Sequence, residues 1–317
     1  MQNTDPRRRV VVALALLCLV GAAVIAVRTG TLTGPSRSVR DSAQLEAVRS
    51  EQATTAGAEV RSRFAALERR RDARLGVMAI DTGSGETLGY RADERFALAS
   101  TVKVPLAAVV LDRLSVDDLE RRLFWTEADL VAYSPVTELF VEDGMTVRQL
   151  LDAALTLSDN TATNLLFDLV GGPGAVDDRL AELGDSVTSV DRVEPDLNDW
   201  RPGEVRDTST PRALAAVVRD LTLGDLLARD DRRLLDDELG DSLTGARLVR
   251  AGVPDGWRVG DKSGTASYGT RNNVAVVHPP GRAPWVVVVM TSHDEADAET
   301  DDALVAQAAR IVVDHWS

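Results

Sequence analysis

The chain has 317 residues, 44% of them hydrophobic, so it can form one large domain or two average ones around a sizeable core. Its net charge of -14 argues against nucleic-acid binding, which requires a basic surface, and is compatible with an exported protein. Cys18 is the only cysteine, which excludes an internal disulfide.

The N-terminal segment has the pattern of an export signal. Arg7 to Arg9 precede an apolar run over residues 10–27, as in a signal peptide. We expect residues 1–27 to be a cleaved signal, with a candidate cut after Ala26. An uncleaved membrane anchor and a twin-arginine signal are the alternatives. Lipidation of Cys18 is disfavoured because the residue before it is not small. The predicted location is therefore outside the cytoplasm: secreted, periplasmic or in the cell envelope.

The next elements are a linker, a helix and a hairpin. Residues 28–44 are rich in Gly, Thr and Ser and predict a linker, while the composition of residues 43–71 favours a helix. The apolar run 75–80, a glycine-containing turn and residues 86–90 predict a β-hairpin. Ser100 then precedes an apolar run over 102–114, which predicts a buried helix.

The middle of the chain is predicted to be helical and the last quarter to contain strands. Helices are predicted over 147–157, 161–170, 175–183, 211–221, 230–248 and 302–316, and strands over 257–261, 273–278 and 285–291. Residues 191–208 contain two prolines and no periodicity, and a long loop of this kind inside a domain is usually functional.

These elements predict an α/β (α+β) domain over residues 45–317. Because strands occur at both ends and helices fill the middle, we expect an antiparallel sheet built from residues 45–100 and 250–317. An all-helical insertion, at about 101–249, would lie between the two parts.

The two lysines of the chain both stand near serines, in Ser100-Thr-Val-Lys103 and in Lys262-Ser-Gly-Thr265. On a helix, residues three apart share a face, so Lys103 is expected to reach the Ser100 hydroxyl and help to remove its proton. A lysine, unlike an arginine, can lose its own proton when its surroundings lower the pKa. The glycine of the second motif is expected to let a substrate lie close to the strand backbone.

Each motif alone has an ordinary structural explanation, since Ser100 and the tripeptide Ser158-Asp-Asn160 can be helix caps and Lys-Ser-Gly a turn. In this order, however, they form the set of the penicillin-recognising serine enzymes, with Lys-Ser-Gly keeping the hydroxyl of the commoner Lys-Thr-Gly. The long loop at residues 191–208, the polar loop, contains a fourth motif, Glu194-Pro-Asp-Leu-Asn198. With connecting segments such as 130–138, the sequence closely resembles the class A β-lactamases from about Ser38 to the C-terminus.

The resemblance implies a hydrolase that opens the β-lactam ring of penicillins or cephalosporins through a serine acyl-enzyme and so confers antibiotic resistance. Ser100 would attack the lactam carbonyl, with Lys103 and Glu194 sharing its activation. Glu194 and Asn198 would hold the hydrolytic water. The catalytic residues implied are Ser100, Lys103, Ser158, Glu194, Asn198, Lys262 and Thr265.

The resemblance also implies the groups that bind the substrate. Ser158, supported by Lys262, would protonate the leaving nitrogen, and the N–H groups of Ser100 and Thr265 would form the oxyanion hole. The substrate-binding residues implied are Trp125 as an aromatic gate, Asn160 for the side-chain amide, Gly264 for close approach to the strand, and Lys262, Ser263, Thr265 and Arg271 around the substrate carboxylate. Arg192 and Asp207 resemble a salt bridge that latches the polar loop, and Ala266 leaves the preferred β-lactam open.

Two alternatives share the three motifs: a D,D-peptidase or penicillin-binding protein, and a penicillin sensor that stays acylated. Glu194 and Asn198 argue against both. The three histidines are scattered, without the spacing of zinc ligands, which disfavours a metal-dependent lactamase and a Ser-His-Asp hydrolase. We therefore expect a monomer with a small β-lactam as its substrate, no metal or cofactor and no nucleic-acid partner, and with membrane anchoring only if the N-terminal run is retained.

Overall fold

The computed structural model describes residues 57–317. The expected export signal, the linker and the first part of the helix predicted at 43–71 lie outside the described residues. Within 57–317, no helix combines the length and the apolar character needed to cross a membrane.

The strands form one five-stranded antiparallel sheet in the order β2-β1-β9-β8-β7. The bounds are Arg74–Asp81 for β1, Thr87–Tyr90 for β2, Arg258–Ala266 for β7, Thr270–His278 for β8 and Trp285–Ser292 for β9. Short strands β3 (Phe96–Ala97) and β6 (Thr208–Ser209) form one two-stranded pair, and β4 (Arg122–Leu123) and β5 (Met145–Thr146) form another. Strands from both ends of the chain thus share the main sheet, as predicted.

The helices lie on the two faces of this sheet. Helix α1 covers residues 57–71. The others are α2 (Lys103–Arg113), α3 (Val116–Leu119), α4 (Val147–Thr156), α5 (Asn160–Val170), α6 (Pro173–Glu182), α7 (Pro211–Thr222), α8 (Arg229–Gly240), α9 (Val249–Gly252) and α10 (Asp302–Trp316). Helices α2 to α8 form the predicted insertion between β2 and β7.

Two hydrophobic cores follow from the alternation of side chains along the strands. On β1, Met78 and Ile80 enter the core shared with the inserted helices, whereas Val77 and Ala79 enter the core shared with α1 and α10. Strand β9 is buried at every residue, and its valines divide between the same two cores. A strand buried on both faces reads as a continuous apolar run, which explains the sequence Trp285–Met290.

Most predicted elements are found within a few residues of their expected bounds, with two informative differences. Helix α8 ends at Gly240 rather than at residue 248, and turns fill the rest. Strand β7 continues past Asp261 through the Lys-Ser-Gly-Thr motif to Ala266. Because β7 is an edge strand, one side of this motif faces away from the sheet, towards the cleft described next.

Candidate active site

Ser100 lies in a 3₁₀ turn, Ala99–Val102, that runs directly into α2. Ala99 has a φ of 47°, in the left-handed region that costs energy for residues other than glycine. A Cβ on Gly264 of β7 would lie 3.1 Å from the Ala99 Cβ and 3.2 Å from the Leu98 oxygen. The glycine of the Lys-Ser-Gly motif therefore makes room for the turn that carries Ser100, a structural reason different from the expected close approach of a substrate.

The Glu194 carboxylate brings Ser100 and Lys103 together. Ser100 Oγ donates to Glu194 Oε1 at 3.4 Å, and Lys103 Nζ lies 3.1 Å from the same oxygen. Lys103 also donates to the Ser158 carbonyl at 2.8 Å and to Asn160 Oδ1 at 2.7 Å. The sequence predicted that Lys103 would point at Ser100 itself, whereas in the structure the two meet at a shared carboxylate oxygen.

The Ser158 hydroxyl lies between the two lysines. Lys103 Nζ donates to Ser158 Oγ at 3.1 Å, and Lys262 Nζ donates to it at 3.0 Å. Both ammonium groups are buried, at 1% and 0% exposure. Burial lowers the pKa of Lys103 against the opposing pull of Glu194. Burial and the charge of Lys103 lower the pKa of Lys262 still further. The Ser158 hydroxyl therefore links two amines whose pKa values are both lowered by burial.

Asn164 holds Glu194 in place through the backbone. Its Nδ2 donates to the Glu194 carbonyl at 2.8 Å, and its Oδ1 accepts from the Glu194 N–H at 2.9 Å. Asn164 lies outside the motifs from which the site residues were predicted. Its position six residues after Ser158, on the same helix as Asn160, is the signal that could have pointed to the site.

Asn198 closes the polar loop around the carboxylate. Its Nδ2 donates to Glu194 Oε2 at 2.5 Å and to the Pro195 carbonyl at 3.2 Å. Its Oδ1 is buried and has no hydrogen-bond partner among the described residues. A buried amide oxygen of this kind normally binds a partner, and a water is the smallest that fits.

Asp159 fixes the Ser158-Asp-Asn motif to the loop before α4. Its Oδ2 accepts from the N–H groups of Val136 and Thr137, and its Oδ1 caps α5 by accepting from Ala162 N at 2.8 Å. Asn160 N donates to the Tyr133 carbonyl at 3.0 Å. These contacts explain why the middle aspartate of the motif, fully buried, is structural.

The opposite end of the cleft is rich in cationic and hydroxyl groups. Ser263 Oγ donates to Thr244 Oγ1 at 2.7 Å. Arg271 donates from Nε to Asp302 Oδ1 at 2.7 Å and from a terminal nitrogen to Thr265 Oγ1 at 2.9 Å. Asp302 thereby orients the guanidinium next to β7, a contact between segments that no local motif predicts.

The groups enclose a cleft of about 530 Å³. Its lining contains Ser100, Tyr133, Ser158, Asn160, Asn198, Leu243, Thr244, Ser263, Gly264, Thr265 and Arg271. Trp125 does not line it. This side chain is 5% exposed and packs in the core of the helical insertion, so the expectation that Trp125 is an aromatic gate is wrong. The aromatic residue at the cleft is Tyr133, which is 60% exposed.

The polar loop is held by the Arg192–Asp207 pair. Arg192 Nε donates to Asp207 Oδ2 at 2.6 Å, while Asp207 Oδ1 accepts from the N–H groups of Asp191 and Arg192 at 2.9 Å. The Asp207 side chain is 3% exposed and that of Arg192 17%. The pair therefore joins the two ends of the loop that carries Glu194.

Within residues 57–317, no cluster of His, Cys, Asp or Glu has the arrangement of a metal site.

The chain is similar to known proteins in both sequence and fold. Residues 59–316 match the model of the β-lactamase enzyme family. A β-lactamase from Amycolatopsis lactamdurans is 52% identical over 82% of this chain and 86% of its own length. β-Lactamase AST-1 of Nocardia asteroides is 47% identical over 99% and 96%, respectively. The crystal structure of a class A β-lactamase from Clostridium kluyveri superposes with a TM-score of 0.80 at 41% identity, covering 81% of this chain and 98% of the other.

Proposed function

The chain belongs to the class A β-lactamases and is a β-lactam hydrolase, and we propose that it opens the ring through a serine acyl-enzyme. The convergence of Ser100, Lys103 and Glu194 at one carboxylate oxygen carries this proposal. A serine hydroxyl becomes a nucleophile only when a neighbouring base accepts its proton, and here two candidate bases meet next to it.

Acylation begins with attack of Ser100 Oγ on the lactam carbonyl carbon. The hydroxyl proton passes to Glu194, which already accepts a hydrogen bond from it, or to Lys103, whose burial favours the neutral amine. As the C–N bond breaks, the nitrogen takes a proton from Ser158. Either Lys103 or Lys262, both hydrogen-bonded to Ser158 Oγ, supplies the replacement. The proton taken from Ser100 then restores the ammonium group through Lys103, so Glu194 is a carboxylate again before deacylation.

The backbone N–H groups of Ser100 and Thr265 are proposed to stabilise the oxyanion. Support comes from the close packing of the turn that carries Ser100 on Gly264, the residue before Thr265 in the edge strand β7. Hydrogen-bond donors aimed at a developing oxyanion usually make the largest single contribution to stabilising the transition state. Loss of one such donor raises the activation free energy by about 3 kcal/mol.

Deacylation is assigned to Glu194 and Asn198. The Glu194 carboxylate lies beside Ser100 Oγ, and the unpartnered Asn198 Oδ1 provides a second contact for a water. Glu194 would remove a proton from this water as it attacks the ester carbonyl, and the Ser100–carbonyl bond would then break with return of the proton to Ser100.

The remaining groups of the cleft are proposed to bind the substrate. Ser263, Thr265 and Arg271 line one end of the cleft, beside the buried Lys262, and these four residues are proposed to bind the ring carboxylate. Asn160 has two amide hydrogens, of which Ala132 takes one among the described residues, so the other can bind the substrate's side-chain carbonyl. Tyr133 replaces Trp125 as the aromatic wall.

Turnover of a chromogenic cephalosporin by the domain tests the mechanism. The wild-type protein should release many product molecules per enzyme, whereas Glu194→Gln should give one burst and a trapped acyl-enzyme, visible as a mass increase on Ser100. Steady-state hydrolysis by Glu194→Gln at the wild-type rate would contradict the assignment. A burst without turnover in the wild-type protein would indicate a peptidase or a sensor.

Export and a monomeric state are also proposed, on the basis of the charged and apolar pattern of residues 1–27 and of a cleft completed by a single chain. The N-terminal sequence of protein recovered from the host tests the first, with a new terminus after Ala26 expected. Light scattering of the purified protein tests the second.

A further inference from the structure

An edge-to-face aromatic pair joins the polar loop to the turn between β7 and β8. The ring centroids of Trp200 and Tyr268 are 5.9 Å apart, with an interplanar angle of 81°. This is a favourable geometry for two aromatic rings. Trp200 lies two residues after Asn198, and Tyr268 lies three residues after Thr265. The pair therefore connects the side of the cleft that carries Glu194 with the side that carries Thr265.

The same turn also holds Asn198 by its backbone. The carbonyl of Asn198 accepts from Ser267 N at 3.1 Å and from Ser267 Oγ at 3.0 Å. The side chain of Asn198 meanwhile donates to Glu194 Oε2. One residue is thus fixed at its carbonyl by the β7–β8 turn and at its carboxamide by Glu194.

The turn itself is well anchored. Tyr268 N donates to the Ala296 carbonyl at 3.2 Å, and the Tyr268 carbonyl accepts from His293 N at 2.7 Å. Tyr268 has a φ of 58°, and a Cβ on the following residue, Gly269, would lie 2.6 Å from the His293 ring. Tyr268 is hydrogen-bonded through its N–H and its carbonyl, and Gly269 is closely packed against His293, so this turn has little freedom to move. It can therefore fix the position of the polar loop that contacts it.

We propose that Trp200, Tyr268 and Ser267 are positioning residues for the deacylation step. The proposal rests on the mechanism proposed above. In it, the aromatic pair holds the Asn198 carboxamide, and so the hydrolytic water, at a fixed position relative to the Glu194 carboxylate. Without the pair, the segment after Asn198 loses its contact with the turn, and the water site loosens. Ser100 contacts the other carboxylate oxygen of Glu194 and has Lys103 as a second candidate base, so acylation is less affected.

Stopped-flow measurement of the acylation and deacylation rates with a chromogenic cephalosporin tests the proposal. Tyr268→Ala should lower the deacylation rate up to about tenfold and leave the acylation rate within about twofold of wild type. Tenfold is the rate change expected if the whole interaction free energy of one aromatic pair acts on the deacylation step. Tyr268→Phe, which keeps the ring, should restore deacylation. Ser267→Ala, a smaller change that does not endanger folding, should lower deacylation about threefold.

A matched control is Tyr90→Ala. Tyr90 forms an aromatic pair with Phe64 at the same 5.9 Å separation, but on β2, at the opposite edge of the sheet from the cleft. Tyr90→Ala should reduce the free energy of unfolding without changing the ratio of the acylation rate to the deacylation rate. If Tyr268→Ala and Ser267→Ala alter this ratio no more than Tyr90→Ala does, the positioning role is wrong.

A double-mutant cycle that combines Tyr268→Ala with Trp200→Ala is a second test of the positioning role. If the two rings act through each other, the double variant should deacylate no more slowly than the slower single variant, and simple multiplication of the two effects would contradict the proposal. Failure of the wild-type protein to deacylate at all would instead overturn the proposed function, so the two failures are distinguishable.

Discussion

Replacement of Asp207 by alanine is expected to destabilise the protein and to slow deacylation together. The carboxylate accepts hydrogen bonds from two backbone N–H groups and from the Arg192 guanidinium, and its removal leaves Arg192 buried without its partner. Removing one member of a buried ion pair costs about 3–5 kcal/mol. Because Arg192 retains 17% exposure, water compensates in part, and we expect a loss of about 3 kcal/mol in the free energy of unfolding.

The effect on catalysis follows from the position of Glu194, two residues after Arg192. A shift of the carboxylate by about an ångström would reduce the rate of the step that depends on it by roughly a hundredfold. Acylation, which can use Lys103 as well, should fall less. The acyl-enzyme should therefore accumulate in Asp207→Ala during steady-state turnover, which mass spectrometry of quenched samples measures.

Asp93→Ala is the matched control. Asp93 also pairs with an arginine, Arg212, at 2.6 Å, but the two side chains are 74% and 51% exposed. An exposed pair is worth about 0.2–1 kcal/mol. Urea denaturation of both variants compares the two sites directly. Equal losses of stability in Asp207→Ala and Asp93→Ala, with unchanged deacylation in both, would refute the reasoning.

Two further predictions concern the cleft wall and a buried carboxyl. Tyr133→Ala should raise KM severalfold with little change in melting temperature, whereas Trp125→Ala should lower the unfolding free energy by about 3–5 kcal/mol; the reverse pattern would restore Trp125 as the gate. Burial and the Asp152 carboxylate raise the pKa of Glu238 from 4.5 to about 8. The folded protein therefore keeps a proton on Glu238 that the unfolded chain releases. The contribution of Glu238 to the free energy of unfolding is complete below about pH 4.5 and is lost as the pH rises to about 8. Glu238→Gln should flatten this decline in a pH series of melting curves, and Glu127→Gln, at an exposed position, should not.

The motifs were readable from the sequence because each places its groups within a few residues on one element. Ser100 and Lys103 are separated by less than one helical turn, and Glu194 and Asn198 share one short loop. The strands of the sheet were equally clear, since runs such as 285–290 are apolar throughout. Both signals are local, so neither requires knowledge of the packing.

Contacts between segments that are distant along the chain could not be predicted from the sequence. Asn164 binds Glu194 across 30 positions, and Asp302 binds Arg271 across 31. Trp125 was misassigned because sequence gives residue type but not burial, and the exposed aromatic side chain turned out to be Tyr133. Strand β7 was predicted too short because its polar motif interrupts the apolar pattern although the backbone pairing continues.

The burial of both lysines has a practical consequence for work with this protein. All other basic side chains that could carry surface charge are arginines or histidines, which do not react as primary amines. Reagents such as succinimidyl esters therefore meet no accessible side-chain amine on the folded domain. Labelling or immobilisation through amines should be confined to the α-amino group, and the appearance of a second label would report that the region around the two buried lysines has opened.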